Sequence, residues 1–203
     1  MNRIVFATAQ ELATGIRQRR VSAAEVLEAH LAQIARHNPA LNAIVTLDEE
    51  RARKRAREAD MALARGEFWG PLHGVPVTIK DAIETAGLRT TGGFPPLADY
   101  VPTTDAPVVA RLKAAGVIIM GKTNLPVLSA DYRADNPIFG RTNNPWNLER
   151  RIPRHHLINL SLSLPGVVAI SSGKLAEWTL GQHTFPSGRI CYVSSKWRLK
   201  TPH

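Results

Sequence analysis

Three observations predict an α/β fold for this chain. Val75, Val77 and Ile79 alternate with Pro76, Thr78 and Lys80, the period of a strand that turns successive residues to opposite faces. From Thr104, "TDAPVVARLKAAGVIIMGKTN" reads as an N-cap, a first-turn proline, a helix, a terminating Gly116 and a buried strand from Val117 to Met120. With the earlier strand this makes a strand–helix–strand repeat. Two capping boxes near the N-terminus, Thr8 with Glu11 and Ser22 with Glu25, open helices that can cover one face of such a sheet.

In chain order, helices are predicted over 8–19 and 22–37. In the second, Val26, Leu27, His30, Leu31 and Ile34 recur at helical spacing and "HNPALNA" stops the pattern, so His30 reads as a packing histidine on an apolar stripe. Ile44 to Leu47 is a short strand. "DEERARKRAREADMALARGE" follows as a long polar helix with its acids in the first turn, which suits the helix dipole. Arg51, Arg53, Lys54, Arg55 and Arg57 are flanked by Asp48, Glu49, Glu50, Glu58 and Asp60, the pattern of a solvated helix face. The loop "GKTN" lacks the glycine spacing of a phosphate loop before Lys122. "NPIFGRTNNPWN" is an ordered irregular loop in which Phe139 and Trp146 are the expected anchors. No internal repeat is present.

At 203 residues, 44% hydrophobic and 21% charged, the chain has the composition of a globular domain rather than a disordered one. It has no apolar run of the roughly 18–20 residues that a membrane span requires, and no N-terminal signal segment. Cys191, the single cysteine, excludes an internal disulfide and a cysteine-based metal site. The chain is read as cytoplasmic, without metal or cofactor. Its net charge of +9 invites a nucleic-acid reading, but the distribution argues against one. Before Arg150, 18 basic and 16 acidic residues leave +2, whereas from Arg150 onward 8 and 1 leave +7.

Lys80 is an odd end to an apolar alternating strand. A Gly- and Thr-rich segment, "TTGG", follows it, so the ammonium sits where a strand runs out into loops that often carry catalytic groups. On the residues alone it is either a general base or a strand-end lysine paired with Asp81.

The blocks "GPLHGVPVTIKD", "TTGG", "DAPVVARLKAAGVIIMGKTN" and "NPIFGRTNNPWN", in this order over about residues 8 to 149, resemble the N-terminal third of the amidase signature family. The resemblance implies a mixed sheet flanked by helices on both faces, here incomplete and followed by a non-family C-terminal tail over 151–203. It implies a small-molecule amide substrate, hydrolysis of a linear carboxamide C–N bond through an acyl-enzyme, and no cofactor. Lys80 falls on the family's catalytic lysine, and Asp81 and Asn124 fall in the same blocks as active-site support. In the family a relay serine passes the proton of the nucleophilic serine to this lysine. A serine hydroxyl needs such a partner, and a desolvated lysine of lowered pKa can serve.

The chain then departs from the pattern. Where the family continues with glycine- and serine-rich segments, it reads "NPWNLERRIPRHHLINLSLSLPGVV". Ser171 and Ser172 come about twenty residues late and lack the paired glycines that make room for an oxyanion, and Ser194 and Ser195 read likewise as ordinary serines. A reading-frame shift or equivalent truncation near Arg150 accounts for the joint change of resemblance, charge and composition. Three expectations follow: no amidase turnover, a Lys80 that titrates as an ordinary lysine, and a three-stranded sheet with an open edge. Two other classes remain, a fragment that pairs with another chain and a basic nucleic-acid binder. The latter would use Trp178, Phe185, Tyr192 and Trp197 interleaved with Arg189, Lys196, Arg198 and Lys200.

Overall fold

The computed structural model describes residues 4–131, 133–145 and 147–149, together with the backbone of short strands at 168–170, 184–185 and 188–189. Both capping boxes form and start α1 (Ala9–Arg17) and α2 (Ala23–Leu41). A third carboxylate reinforces the second start: Asp60 accepts from the Ala23 and Ala24 amides at 2.7 and 3.1 Å, satisfying donors that a helix N-terminus otherwise leaves open. The helix runs past the predicted stop, through Pro39, to Leu41. Its end is fixed by Asn42 in the left-handed region and by Asn38, whose side-chain oxygen accepts from the Ala43 and Ile44 amides. That joint leads directly into β1 (Ile44–Leu47).

The polar helix α3 (Glu49–Ala64) buries a stripe of Ala52, Ala56, Ala59 and Ala62. Methyl-sized residues let it lie close over α2, Ile118 and Met120, with which Ala52, Ala56 and Ala59 share one core. Its basic residues turn outward as the charge pattern predicts: Arg53 pairs with Glu28 and Glu49, and Arg55 pairs with Glu58 and lies over the Trp69 ring. His30 is fully buried against this core, its Nδ1 donating to the Val26 carbonyl at 2.7 Å. Among the described residues no helix is long and apolar enough to cross a membrane.

β2 (Pro76–Lys80), α4 (Pro107–Ala114) and β3 (Ile118–Thr123) form the expected repeat. The sheet is mixed, in the order β1-β3-β2-β4, where β4 is Val168–Ile170. β2 is parallel to β3 and to β4, while β1 is antiparallel to β3. The expected three-stranded sheet gains a fourth strand, since the backbone of 168–170 pairs along Val77 to Ile79. The strand alternation expected at Leu160, Leu162 and Leu164 lies outside the described residues. A separate two-stranded pairing joins β5 (Thr184–Phe185) and β6 (Gly188–Arg189).

β3 is not a regular strand. Val77 is opposite Ile119, yet Thr78 is opposite Gly121 and Ile79 is opposite Lys122, so β3 holds one residue more than β2 over the same span. An extra residue is a β-bulge, and beyond it the side-chain parity inverts. Ile118 and Met120 face α2 and α3, but Lys122 lies on the other face, with Ile79. Gly121 makes the irregularity possible, because a Cβ there would stand 2.3 Å from the Thr46 carbonyl oxygen of β1.

Candidate active site

Because β2 and β3 run in parallel, their C-terminal ends, Lys80 and Thr123, lie side by side at the same end of the sheet. Loops that leave an open sheet at this end form its usual crevice for ligands. Lys80 is half-buried, and desolvation brings its ammonium below the ordinary lysine value. This direction runs against the expectation of an ordinary lysine, since burial withdraws the group from water. The alternative of a Lys80–Asp81 ion pair is not what the structure contains, since among the described residues no ion pair joins the two.

Asp81 is instead the organiser of the loop that follows. Fully buried, it accepts on Oδ2 from the Thr91 amide at 3.0 Å and from the Thr91 hydroxyl at 2.5 Å. Its carbonyl accepts from the Gly92 amide at 3.1 Å, its own amide donates to Thr123, and the Thr91 hydroxyl oxygen accepts from the Gly93 amide at 2.9 Å. Residues 82–90 are thus an excursion whose end, "TTGG", is returned to the start beside Lys80. Gly92 and Gly93 both take φ near +60°, and a Cβ on Gly93 would meet the Asn136 side chain at 3.0 Å, so the double glycine is a steric requirement. Burial pushes the Asp81 carboxyl up, against the lowering effect of its Thr91 bonds and of Lys122 and Arg89. Its second oxygen, Oδ1, is buried without a hydrogen-bond partner among the described residues.

Asn124 follows Thr123 directly and is a hub between loops. Its amide nitrogen donates to the Gly140 carbonyl at 3.0 Å and the Thr142 hydroxyl at 2.9 Å, while its oxygen accepts from the Leu125 amide and from Asn136. Both ends of the side chain are occupied by protein, so it holds the "NPIFGRT" loop against the sheet end. Of the two expected anchors of that loop, Phe139 lies beneath the Arg89 guanidinium, 5.2 Å from ring centroid to Cζ, and Trp146 lies outside the described residues.

A third group at this end is Lys122, which the sequence excludes from a phosphate loop and assigns no other role. Lys122 is fully buried and donates from Nζ to the Ile83 carbonyl at 2.5 Å, the Thr90 hydroxyl at 2.8 Å and the Thr85 hydroxyl at 3.3 Å. Burial brings its pKa down to about 8, opposed by Asp81 and Glu84. The signal that could have found it is the glycine inside an apolar strand, which marks a bulge.

A family profile described as Amidase matches residues 25–153, which includes Lys80, Asp81, Lys122 and Asn124. The chain belongs to the amidase family. It is 43% identical over 150 residues to a glutamyl-tRNA(Gln) amidotransferase subunit of Acidothermus cellulolyticus, an alignment covering 74% of this chain and 30% of that protein. To the acylamidase of Rhodococcus erythropolis it is 42% identical over 174 residues, covering 86% of this chain and 35% of the relative. The second alignment is too long to end at Arg150 and runs into the tail. Among solved structures, 6-aminohexanoate cyclic dimer hydrolase superposes with a TM-score of 0.69 at 29% identity, covering 81% of this chain and 33% of that one. The chain therefore spans about a third of the length of each of these relatives. Ser171, Ser172, Ser194 and Ser195 lie outside the described residues.

Proposed function

We propose that this chain carries the lysine arm of a Ser-Ser-Lys amidase site acting on linear carboxamides, and that it does not complete the site alone. The observation that carries the reading is Lys80, half-buried at the shared end of parallel β2 and β3, with a pKa lowered by desolvation. In its neutral form such an amine accepts the proton that a serine hydroxyl must lose as its oxygen bonds to the amide carbonyl carbon. The proton then goes to the leaving nitrogen as the C–N bond breaks, and water hydrolyses the resulting ester. Lys80 would supply the base. Asp81, through Thr91 and the paired glycines, would hold the loop beside it, and Asn124 the loop behind it. We read the family's glycine- and serine-rich segments as missing from their usual place after Trp146, and the chain therefore as inactive, and as cytoplasmic.

A chimera tests the assignment of Lys80. Residues 150–203 are replaced by the portion of the Rhodococcus acylamidase that follows its match to residue 149. Hydrolysis of simple amides by the chimera, reduced about a thousandfold or more by Lys80→Ala, is expected from the loss of a proton acceptor that works as one unit with its serine. An active chimera indifferent to Lys80→Ala would remove the lysine from the mechanism. A second reading, in which another chain supplies the missing parts, is favoured by the buried Asp81 Oδ1, which has no partner among the described residues and is an acceptor open to a donor. Co-purification of the chain with a serine-bearing partner would support that reading.

A further inference from the structure

The buried lysine that the mechanism above does not use is Lys122. We propose that Lys122 is the positioning residue of this site: its ammonium, turned to the loop side of the sheet by the bulge in β3, pins the 82–90 excursion and so holds Thr91 and Gly92 on Asp81, beside Lys80. Three donors of one ammonium meet three acceptors drawn from both limbs of the loop, Ile83 and Thr85 on the way out and Thr90 on the way back. The acceptors are themselves tied down, for the Thr85 hydroxyl donates to Ile83 and the Thr90 hydroxyl to Leu88. Without the bulge, Lys122 would share the face of Met120 and enter the core with α2 and α3. The irregular strand, the glycine that permits it and the loop are one device.

The pin is linked to protons. Charged and titratable groups around it are Asp81 and Glu84 on the loop, Arg51 of α3, which donates to the Ala86 and Gly87 carbonyls of the loop, and, where Asp105 accepts from the Ala86 amide, the Asp105–Lys113 pair at the α4 side; Lys80, opposite Thr123, turns to the other face of the sheet. A lysine whose pKa is lower in the closed loop than in the hydrated open one takes up a proton on opening. The closed state therefore gains stability as pH rises from the closed value towards the ordinary one, tenfold in the opening constant per pH unit. Below the closed value this dependence is absent.

The inference concerns the loop, and rests on the amidase reading only for its catalytic meaning, so the test reads the loop and not turnover. In the full chain at pH 7, Lys122→Met is expected to speed hydrogen exchange of the Thr91, Gly92 and Gly93 amides at least tenfold and to leave the α2 amide of Val26 unchanged. The second measurement follows the Thr85, Thr90 and Thr91 amide shifts of the unmutated loop against pH, in a Lys80→Arg background that silences the neighbouring lysine. They are expected to move together, with a midpoint near 8 that the additional Lys122→Met change removes. Equal exchange at 91–93 and at Val26 in the variant, or loop amides that do not respond between pH 7 and 10, would overturn the proposal. Should Lys122→Met fail to fold, the titration alone decides.

Discussion

Incubated with simple aliphatic or aromatic amides, the purified chain is expected to release acid no faster than buffer does, and Lys80→Ala is expected to change nothing. In serine hydrolases, removing one or all members of a triad costs up to about a millionfold in kcat, and the residual thousandfold or more over water comes from the oxyanion hole and substrate binding. On the reading proposed above, two members and the oxyanion segment are missing from the positions where the family resemblance expects them, and that residue of catalysis would go as well. On that reading the lysine, however well placed, lacks the serine hydroxyl it would deprotonate. Turnover that disappears with Lys80→Ala would mean that a serine of the tail has taken the missing role. Liquid chromatography of product at high protein concentration, with the variant beside it, makes the comparison.

The largest effect on folding is expected from Gly121→Ala. The added Cβ would stand 2.3 Å from the Thr46 carbonyl oxygen and within 3.3 Å of the Leu47 Cα, so the obstacle is the backbone of β1 and not a side chain that can swing away. Either β1 leaves β3 or the bulge is rebuilt, and rebuilding it returns Lys122 to the wrong face. Overpacking of this kind costs about 1–3 kcal/mol and occasionally more, a sizeable part of the roughly 5–15 kcal/mol that a domain has in total. Gly66→Ala is the control: its φ of +80° carries backbone strain, but nothing lies within 4 Å of the new methyl group. Urea titration should therefore show a larger loss for Gly121→Ala than for Gly66→Ala. Equal losses would show that the approach of β1 to β3 is looser than the structure has it.

How much of this was legible in the sequence depended on whether the signal was local. Capping boxes, alternation in 75–80 and the helix-to-strand passage from Thr104 are local, and each formed within a few residues of its predicted bounds. The place of Lys80 at a strand end was legible because it closes an apolar alternation. α2 overran its predicted end because Asn38 and Asn42 cap the helix after Pro39, a joint that a proline-based stop signal does not reveal. The state of Lys80 and the role of Lys122 were not legible, since both depend on what packs around the sheet end, and for Lys122 on a one-residue bulge that inverts strand parity. Asp81 was placed as active-site support beside Lys80, whereas its bonds run to Thr91 ten residues on. The pairing of β4 with β2 was missed because a three-residue strand within a basic, serine-rich tail has too little pattern to separate it from its surroundings.

The central claim is that this chain holds a lysine prepared to act as a base, and the titration of the Lys80 side chain in the intact chain tests it most directly. Followed by NMR at the ε-carbon and assigned against Lys80→Arg, the midpoint is predicted to fall below the ordinary value of 10.5, in the direction that its desolvation imposes. The sign extends to stability: the unfolded chain binds the proton more tightly, so stability rises with pH between the folded midpoint and the ordinary one. A Lys80 midpoint at the ordinary value, with Lys122 titrating near 8 in the same sample as proof that the sheet end is intact, would contradict the account.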